Sequence, residues 1–121
     1  MIKDNHIAVA GGVELAINRA RDFAGHLVMV EVEVDTLEQF AEALKAKPDV
    51  VLLDNMSNEQ LTKAVEMNAS DNDGIIKLEA SGNVNIETIK AIAETGVDYI
   101  STSKITMAAP TLDVGLDIVI K

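Results

Sequence analysis

Strand-like and helix-like segments alternate along this 121-residue chain, and the alternation limits the folds that it can adopt. The strands end at regular intervals, at Glu33, Asp54, Ser81 and Ser103, and helix-like segments lie between them. A strand, a crossover helix and a second strand form a parallel pair with the helix outside the sheet. The sequence therefore predicts an α/β protein with a parallel sheet, which is either part of a (β/α) barrel or a doubly wound sheet.

Apolar periodicity and helix-capping patterns place the individual elements. The predicted strands cover residues 1–5, 27–34, 50–53, 75–80 and 99–103, and the tail at 112–120 alternates in part like a strand. The predicted helices cover residues 13–23 and the segments that begin at Thr36, Ser57 and Asn85, with a polar loop at 68–74. Leu15 and Ile86 are expected on the buried faces of these helices.

The number of strand–helix units is smaller than a closed barrel requires. A complete barrel contains eight such units in about 250 residues, and this chain supplies roughly half of them. An open partial barrel exposes strand edges and apolar faces. We therefore expect the chain to be incomplete as a barrel by itself, or to depend on other chains.

Composition and charge exclude several classes of function. The formal net charge is −10, which disfavours contact with the phosphate backbone of nucleic acids. The chain has no cysteine, so disulfides and thiolate metal sites are excluded and the cytoplasm is the expected compartment. Residues 1–5 are too polar for a signal peptide, and no apolar run approaches the roughly 20 residues that cross a bilayer.

Polar side chains collect at the carboxyl ends of the predicted strands, where parallel α/β folds bind ligands. Helix capping or solvation explains any one of these groups, whereas a binding site explains all five together. The groups are residues 3–6, Glu31 with Glu33, Asp54 with Asn55, Glu79 with Ser81 and Gly82, and residues 101–104.

Two carboxylates lie two positions apart in one predicted strand. Glu31 and Glu33 therefore point to the same face of the sheet, and a barrel interior would shelter both. Lys77 is the expected partner of Glu31, because a buried carboxylate requires a counter-charge. The alternative is an edge strand with solvated glutamates. Glu33 and Asp54 are candidates to hold Mg²⁺ together with substrate oxygens.

Two loops are candidates for binding a phosphate group. Ser81-Gly82 precedes a capped helix, where backbone N–H groups attract phosphate, although short Ser-Gly turns are common. Residues 101–104 follow the next strand, and two adjacent loops often share a phosphate in barrels. The role of His6 is open between a proton donor, an anion contact and a hydrogen-bonded loop residue. The sequence has no clustered set of His and Cys, so it predicts no zinc site.

A series of motifs resembles the quinolinate phosphoribosyltransferases over nearly the whole chain. Each motif alone is modest, and the Lys-Asp-Asn-His and Leu-Asp-Asn-Met segments are the most distinctive. The related nicotinate phosphoribosyltransferases share the open barrel but not this string of motifs. In chain order the motifs are Ile2-Lys3-Asp4-Asn5-His6-Ile7, Glu31-Val32-Glu33-Val34, Leu53-Asp54-Asn55-Met56, Leu78-Glu79-Ala80-Ser81-Gly82, Gly96-Val97-Asp98-Tyr99-Ile100-Ser101, Ala109-Pro110 and Leu112-Asp113.

The resemblance implies a fold, a reaction and an assembly. The fold is the open, TIM-barrel-like (β/α) barrel of these phosphoribosyltransferases. Residues 1–121 form its carboxy-terminal part, and an amino-terminal α/β domain and the first barrel strands are absent. The reaction is a pentosyl transfer in NAD biosynthesis, in which quinolinate and phosphoribosyl pyrophosphate, with Mg²⁺, give nicotinate mononucleotide, pyrophosphate and carbon dioxide. The assembly is a dimer in which the amino-terminal domain of one subunit covers the site of the other.

The resemblance also implies roles for residues of this chain. Glu33 and Asp54 match acidic residues that stabilise an oxocarbenium-like centre and hold ribose hydroxyls or Mg²⁺. Lys3 matches a cationic residue that neutralises substrate anions. The implied substrate-binding residues are His6 beside Lys3, Ser81, Gly82 and Asn83 in the loop that holds the 5′-phosphate, and Ser103 and Lys104 in the companion loop.

The chain departs from the family pattern in two loops and in its extent. Asn83 stands where a second glycine is frequent, and Met107 stands near the usual position of a histidine, which leaves the details of phosphate binding open. The Arg-Lys-Thr segment that grips the quinolinate carboxylates is missing, so we expect no catalysis by the chain alone. The alternatives are another sugar-phosphate-binding barrel enzyme and a non-catalytic oligomerising fragment.

Overall fold

The computed structural model describes residues 1–102 and 116–119, which form a five-stranded sheet flanked by helices. The strands lie in the sheet in the order in which they occur along the chain. They are β1 Glu31–Val34, β2 Val50–Asp54, β3 Lys77–Ser81, β4 Tyr99–Thr102 and β5 Leu116–Val119. The helices are α1 Asp4–Ala10, α2 Val13–Ala24, α3 Leu37–Ala46, α4 Asn58–Asn72 and α5 Ile89–Glu94.

The first four strands are parallel, and a helix connects each of them to the next. β5 pairs antiparallel with β4, and at the other edge Ile2 forms a single parallel bridge with Val32. Sequential strand order is the arrangement of a (β/α) barrel, whereas a doubly wound sheet reverses its order at one point. The predicted α/β class with an incomplete parallel barrel is confirmed.

The two faces of the sheet differ in burial. Side chains alternate across a strand, and on β1 the valines Val32 and Val34 are fully buried while Glu31 and Glu33 are half-buried. The valines belong to one apolar core with Phe40 and the aliphatic side chains of the flanking helices. The glutamates lie on the opposite face, which we call the inner face because it corresponds to the interior of the partial barrel.

Two predicted capping patterns begin helices. Ser57 Oγ accepts the Gln60 N–H at 3.2 Å and Gln60 Oε1 accepts the Ser57 N–H at 2.9 Å, which confirms the capping box of α4. Thr36 Oγ1 accepts the Gln39 N–H at 3.1 Å at the start of α3. The Gln39 side chain, however, accepts from the Asp35 N–H, one residue earlier than a capping box requires. Both helices start where the sequence predicts.

The strand predicted at residues 1–5 is wrong beyond Ile2. The Ile2 N–H donates to the Glu31 carbonyl, and the Ile2 carbonyl accepts the Glu33 N–H, both at 2.8 Å. The Lys3 N–H donates instead to His6 Nδ1 at 3.1 Å, and α1 begins at the next residue. Local hydrogen bonds of the helix start therefore replace sheet pairing at this point.

β1 is shorter than predicted, because residues 27–29 do not join the sheet. Val30 is anchored by Asp49: its N–H donates to Asp49 Oδ2 at 2.7 Å, and its carbonyl accepts the Asp49 N–H at 3.0 Å. β2 begins opposite Glu31, so no described strand lies beside residues 27–29, which are exposed. The β-branched composition predicted a strand there, but pairing decides where a strand forms.

α4 continues through most of the segment that was predicted as a loop at residues 68–74. Asn68 is only 4% exposed, and its Nδ2 donates to the Ile76 carbonyl at 2.7 Å. This hydrogen bond satisfies the Nδ2 group of a buried side chain inside the helix, while Asn68 Oδ1 has no partner among the described residues; the polar composition therefore misplaced the helix end. The helix ends at Asn72, and its C-cap residue Asp73 has a left-handed φ of 54°.

A turn after β3 delays the next helix. Asn85 Oδ1 accepts the N–H groups of Glu87 and Thr88 at 2.9 and 3.0 Å, so Asn85 caps a turn and α5 begins after Thr88. Ile86 lies in this turn and is exposed, as is Leu15 on α2, so the expected burial of both residues is wrong.

The longest described helix, α4, has 15 residues, whereas a bilayer-spanning helix needs about 20. In the part of the chain that the structure describes, no helix has the length and apolarity to cross a membrane.

Candidate functional site

The predicted site residues that the structure describes lie at one end of the sheet. The parallel register pairs Asp54 with Ser81 and Ser81 with Ser101, so these three residues are neighbours on the inner face. Glu33 lies on the same face of the adjoining strand β1. Lys3 directly follows the residue that bridges to β1 and is level with Glu33. The carboxyl ends of the strands therefore bring the predicted acidic residues, the lysine and the Ser81 loop together.

The pKa of Glu33 depends on the burial of its carboxyl group and on the charged side chains around it. Burial raises the pKa of Glu33 above its ordinary value of 4.5, and the negative charge of Asp54 raises it further. The charge of Lys3 lowers this pKa, while Asp4 and Asp35 raise it. A carboxylate near like charges holds its proton more readily, and a cation that arrives beside Glu33 favours its ionised form.

Asp54 and Ser81 form a direct hydrogen bond between β2 and β3. Ser81 Oγ donates to Asp54 Oδ1 at 3.1 Å, and both side chains are half-buried. A carboxylate acceptor strengthens such a bond relative to a neutral one. The bond connects the predicted acidic residue to the predicted phosphate loop.

Two tight turns extend this connection beyond the strand ends. The Asn55 N–H donates to the Ser81 carbonyl at 2.8 Å, and Asn55 has a left-handed φ of 54°. Gly82 has a φ of 82°, and a Cβ there would lie 3.0 Å from the Asn55 nitrogen. Asn83 follows with a φ of 51°, which asparagine adopts more readily than other residues with a side chain. Asparagine at this position therefore keeps a backbone conformation that glycine also favours.

Lys3 and His6 are exposed at the start of α1, beside the acidic residues. The hydrogen bond from the Lys3 N–H to His6 Nδ1 fixes the ring, and in the neutral tautomer Nε2 carries the proton. His6 is therefore hydrogen-bonded as one reading of the sequence expected, although it lies in a helix and not in a loop.

The predicted ion pair between Glu31 and Lys77 does not form. Both residues pair in register with Val50, so β2 separates them by roughly 10 Å. Lys77 Nζ lies instead 3.9 Å from Asp98 Oδ1. Glu31 Oε1 is buried and has no hydrogen-bond partner among the described residues.

Two further residues lie on the inner face: Glu79, which the sequence placed in one of the five polar groups, and Tyr99, which was not predicted as a site residue. Glu79 pairs in register with Tyr99, and both are level with Glu33 across the sheet. Tyr99 lies two residues before Ser101, so the period-two alternation of strands was the signal that could have identified it.

Ser103, Lys104 and Met107 lie outside the described residues, so their predicted places are untested. Residues 1–102 and 116–119 contain no group of three or more His, Asp or Glu side chains that could hold a metal ion together. Glu33 and Asp54 remain the acidic pair that faces the site.

Comparison with known proteins identifies close relatives. The sequence model of the family "Quinolinate phosphoribosyl transferase, C-terminal domain" matches residues 1–117. A probable nicotinate-nucleotide pyrophosphorylase (carboxylating) of Bacillus subtilis is 40% identical over 118 residues, which cover 98% of this chain and 39% of that protein. The nicotinate-nucleotide pyrophosphorylase (carboxylating) of Homo sapiens is 36% identical over 121 residues, which cover 100% of this chain and 40% of that protein.

Solved structures agree with these relatives. The nicotinate-nucleotide pyrophosphorylase from Francisella tularensis has a TM-score of 0.77 and 44% identity, covering 87% of this chain and 36% of its own. NadC from Streptococcus pyogenes has a TM-score of 0.78 and 41% identity, and the match covers 89% of this chain and 36% of the NadC chain. The chain spans about two-fifths of the length of the relatives it matches. The matched motifs, sequences and fold show that the chain belongs to the quinolinate phosphoribosyl transferase C-terminal domain family.

Proposed function

We propose that this chain forms part of the active site of a nicotinate-nucleotide pyrophosphorylase. Such an enzyme transfers the phosphoribosyl group of phosphoribosyl pyrophosphate to quinolinate, with decarboxylation, in NAD biosynthesis. One observation carries the proposal: Glu33, Asp54 and the Ser81-Gly82 turn share one end of the inner face, where Ser81 hydrogen-bonds Asp54. The names of the relatives support this reaction and give no support to another barrel enzyme or to a non-catalytic fragment.

The acidic pair suits the centre of this reaction. Positive charge develops at the anomeric carbon of the ribose as pyrophosphate leaves, and fixed negative groups lower the energy of that transition state. We assign this role to Asp54 and to ionised Glu33. The raised pKa of Glu33 makes its charge sensitive to neighbours, and an arriving cation favours its ionised form.

Cationic and backbone groups at the rim suit the anionic parts of the substrates. Lys3 provides a positive charge beside Glu33, with the His6 ring next to it. The turn from Ser81 to Asn83 is assigned to the 5′-phosphate, and Ser103 and Lys104 complete the proposed substrate-binding set.

Mg²⁺ is part of the proposal as a cofactor shared with the substrate. Mg²⁺ in phosphate-transfer sites is usually held by one or two carboxylates together with substrate oxygens and water. The residues present fit this mode, because Glu33 and Asp54 face the site as a pair, close enough for the charge of Asp54 to raise the pKa of Glu33. When held there by Glu33, Asp54 and the substrate, the ion would neutralise negative charge on the pyrophosphate group.

The proposed enzyme needs parts that this sequence does not contain. The basic residues for the quinolinate carboxylates are assigned to an amino-terminal domain and the first barrel strands, within a cytoplasmic homodimer. The sequence contains no Arg-Lys-Thr segment, so the chain alone is expected to form no nicotinate mononucleotide above background.

Calorimetric titration of the purified chain with phosphoribosyl pyrophosphate and Mg²⁺ tests the proposal. Glu33→Gln and Asp54→Asn should each weaken binding by about tenfold or more, because each removes a charged contact. Glu66→Gln changes an exposed carboxylate on α4 and serves as the matched control, with an expected change below about twofold. Equal affinities of all four proteins, or tighter binding of simple pentose phosphates than of phosphoribosyl pyrophosphate, would contradict the proposal.

A further inference from the structure

The Ser81 side chain is directed along the sheet toward β2. Ser81 and Asp54 are register partners on neighbouring strands, so their side chains emerge side by side on the inner face. The Ser81 hydroxyl donates to Asp54 Oδ1 at 3.1 Å. A serine hydroxyl has one hydrogen to donate, and here that hydrogen is directed to the carboxylate.

This arrangement limits what the hydroxyl can do for a phosphate. Phosphate oxygens of a bound ester act as acceptors, so they need a donor, and the only donor of the Ser81 side chain is directed to Asp54. The two requirements compete for one hydrogen. The bond to Asp54 also occupies one carboxylate oxygen and leaves the second oxygen, Oδ2, for a ligand.

The backbone around Ser81 fixes the same geometry. The Ser81 carbonyl accepts the N–H of Asn55 at 2.8 Å, and Asn55 is the residue that directly follows Asp54. Gly82 packs so closely on Asn55 that an added Cβ would lie 3.0 to 3.2 Å from three of its atoms. The two turns are therefore held together by a side-chain bond, a backbone bond and a close contact.

We propose that Ser81 is a positioning residue for Asp54, and that its hydroxyl is directed to that carboxylate and not to the phosphate. This inference rests on the proposed function for the identity of the phosphate ligand. The contact between Ser81 and Asp54 is independent of that function. Ser81 therefore sets the direction in which Asp54 presents Oδ2 to the ribose or to Mg²⁺.

Three variants of the chain test this assignment by carbon-detected NMR. Ser81→Ala should shift the carboxyl ¹³C resonance of Asp54, while Ser81→Thr, which keeps a hydroxyl, should leave it near its original position. The carboxyl resonance of Asp49 provides an internal reference, because Asp49 accepts from Val30 at the opposite end of the sheet. Amide spectra of all variants check that the fold is kept. If the carboxyl ¹³C shift of Asp54 is unchanged in Ser81→Ala, the assignment is overturned, whether or not the chain binds any ligand.

Ligand binding then separates positioning from phosphate binding. Ser81→Ala should leave the affinity for inorganic phosphate within about twofold and weaken binding of phosphoribosyl pyrophosphate with Mg²⁺ about fivefold, with recovery in Ser81→Thr. In an Asp54→Ala background, Ser81→Ala should have no further effect on the second ligand. A loss of phosphate affinity of about tenfold in Ser81→Ala would show that the hydroxyl binds phosphate and overturn the inference. A wild-type chain that binds neither ligand would count against the proposed function, while the Asp54 resonance still decides the positioning role.

Discussion

At the residue scale, the turn that follows β3 depends on the absence of a side chain at Gly82. Gly82 combines a left-handed φ of 82° with close packing on Asn55, whose nitrogen lies 3.0 Å from the position of an added Cβ. Gly74 has a similar φ of 71°, but nothing lies within 4 Å of its added Cβ. A side chain at either glycine would strain the left-handed backbone, but only a side chain at Gly82 would also clash with a neighbour. The two positions therefore distinguish backbone strain from steric clash.

We expect Gly82→Ala to lower the free energy of unfolding by about 2–4 kcal/mol, and Gly74→Ala by about 1 kcal/mol. Both variants force alanine into a strained left-handed backbone conformation, and in Gly82→Ala the Asn55 backbone must also move. Urea denaturation followed by circular dichroism measures both values. Equal losses in the two variants would contradict the steric part of the explanation.

The charge environment of Glu33 gives a second prediction at this scale. Asp54 raises the pKa of Glu33 and Lys3 lowers it. Asp54→Asn should therefore lower the pKa of Glu33 toward its ordinary value of 4.5, and Lys3→Gln should raise it further. The Glu33 carboxyl ¹³C resonance, followed by NMR against pH, reports both changes. Shifts of the same sign in the two variants would show that these charges do not act on Glu33.

The prediction of parallel strands with polar residues at their carboxyl ends was enough to bring several described residues of the site together. It placed Glu33, Asp54 and Ser81 at one end of the sheet, and the structure agrees. The hydrogen bond between Ser81 and Asp54 was beyond the sequence, because it depends on the register between two strands. The same register separates Glu31 from Lys77, which parity alone had paired.

At the scale of elements, α2 and α3 cap each other. Glu42 Oε2 of α3 accepts the Val13 N–H at 2.9 Å, where α2 begins without a side-chain cap of its own. The Arg21 guanidinium of α2 donates in return to the carbonyls of Ala46 and Lys47 at the end of α3. The two helix ends thus satisfy backbone groups that a helix leaves unpaired.

Removal of one of these caps should destabilise the pair of helices. We expect Glu42→Ala to lower the free energy of unfolding by about 1 kcal/mol, as loss of a helix cap does, and Glu42→Gln to lose less because it keeps an acceptor. Glu66→Ala on α4 is the control, with an expected change within about 0.5 kcal/mol. Thermal unfolding ranks the three variants, and a control as unstable as Glu42→Ala would argue against the capping role.

The sequence predicted the types of most described elements, but it missed helix α1, which begins inside the strand predicted at residues 1–5, and it misplaced several boundaries. Capping patterns at Thr36 and Ser57 located two helix starts, because they are local in sequence. The end of α4 depends on the tertiary hydrogen bond of Asn68 to the start of β3, and the start of β1 depends on Asp49. Both bonds join residues that composition and periodicity do not relate.

At the scale of the whole molecule, the edge of the sheet near Ile2 exposes apolar surface. A cavity of about 520 Å³ lies between α1, α2 and the residues before β1. Its lining includes Val9, Phe23 and Met29, which are 84%, 95% and 68% exposed. Contiguous apolar surface of this kind favours association with other surfaces in water. The sequence predicted such exposure from the small number of strand–helix units.

We therefore expect the purified chain to self-associate, and Phe23→Lys to weaken that association about tenfold or more without loss of stability. The substitution removes an exposed ring and adds a charge to an apolar surface. Ile86→Lys changes another exposed residue, which lies in the turn before α5 and outside this cavity, and should have little effect. Sedimentation velocity over a range of concentrations measures the difference. A monomeric wild-type chain would contradict the expectation.

The proposed function requires that one end of the inner face binds the phosphoribosyl ligand. Titration of the ¹⁵N-labelled chain with phosphoribosyl pyrophosphate and Mg²⁺, followed by amide NMR, tests it most directly. The predicted result is a set of shifts confined to the proposed site, at Lys3, His6, Glu33 and residues 54–55, 81–83 and 103–104. Shifts at the opposite end of the sheet, around Lys47, Asp49 and Lys77, with none at residues 81–83, would contradict it.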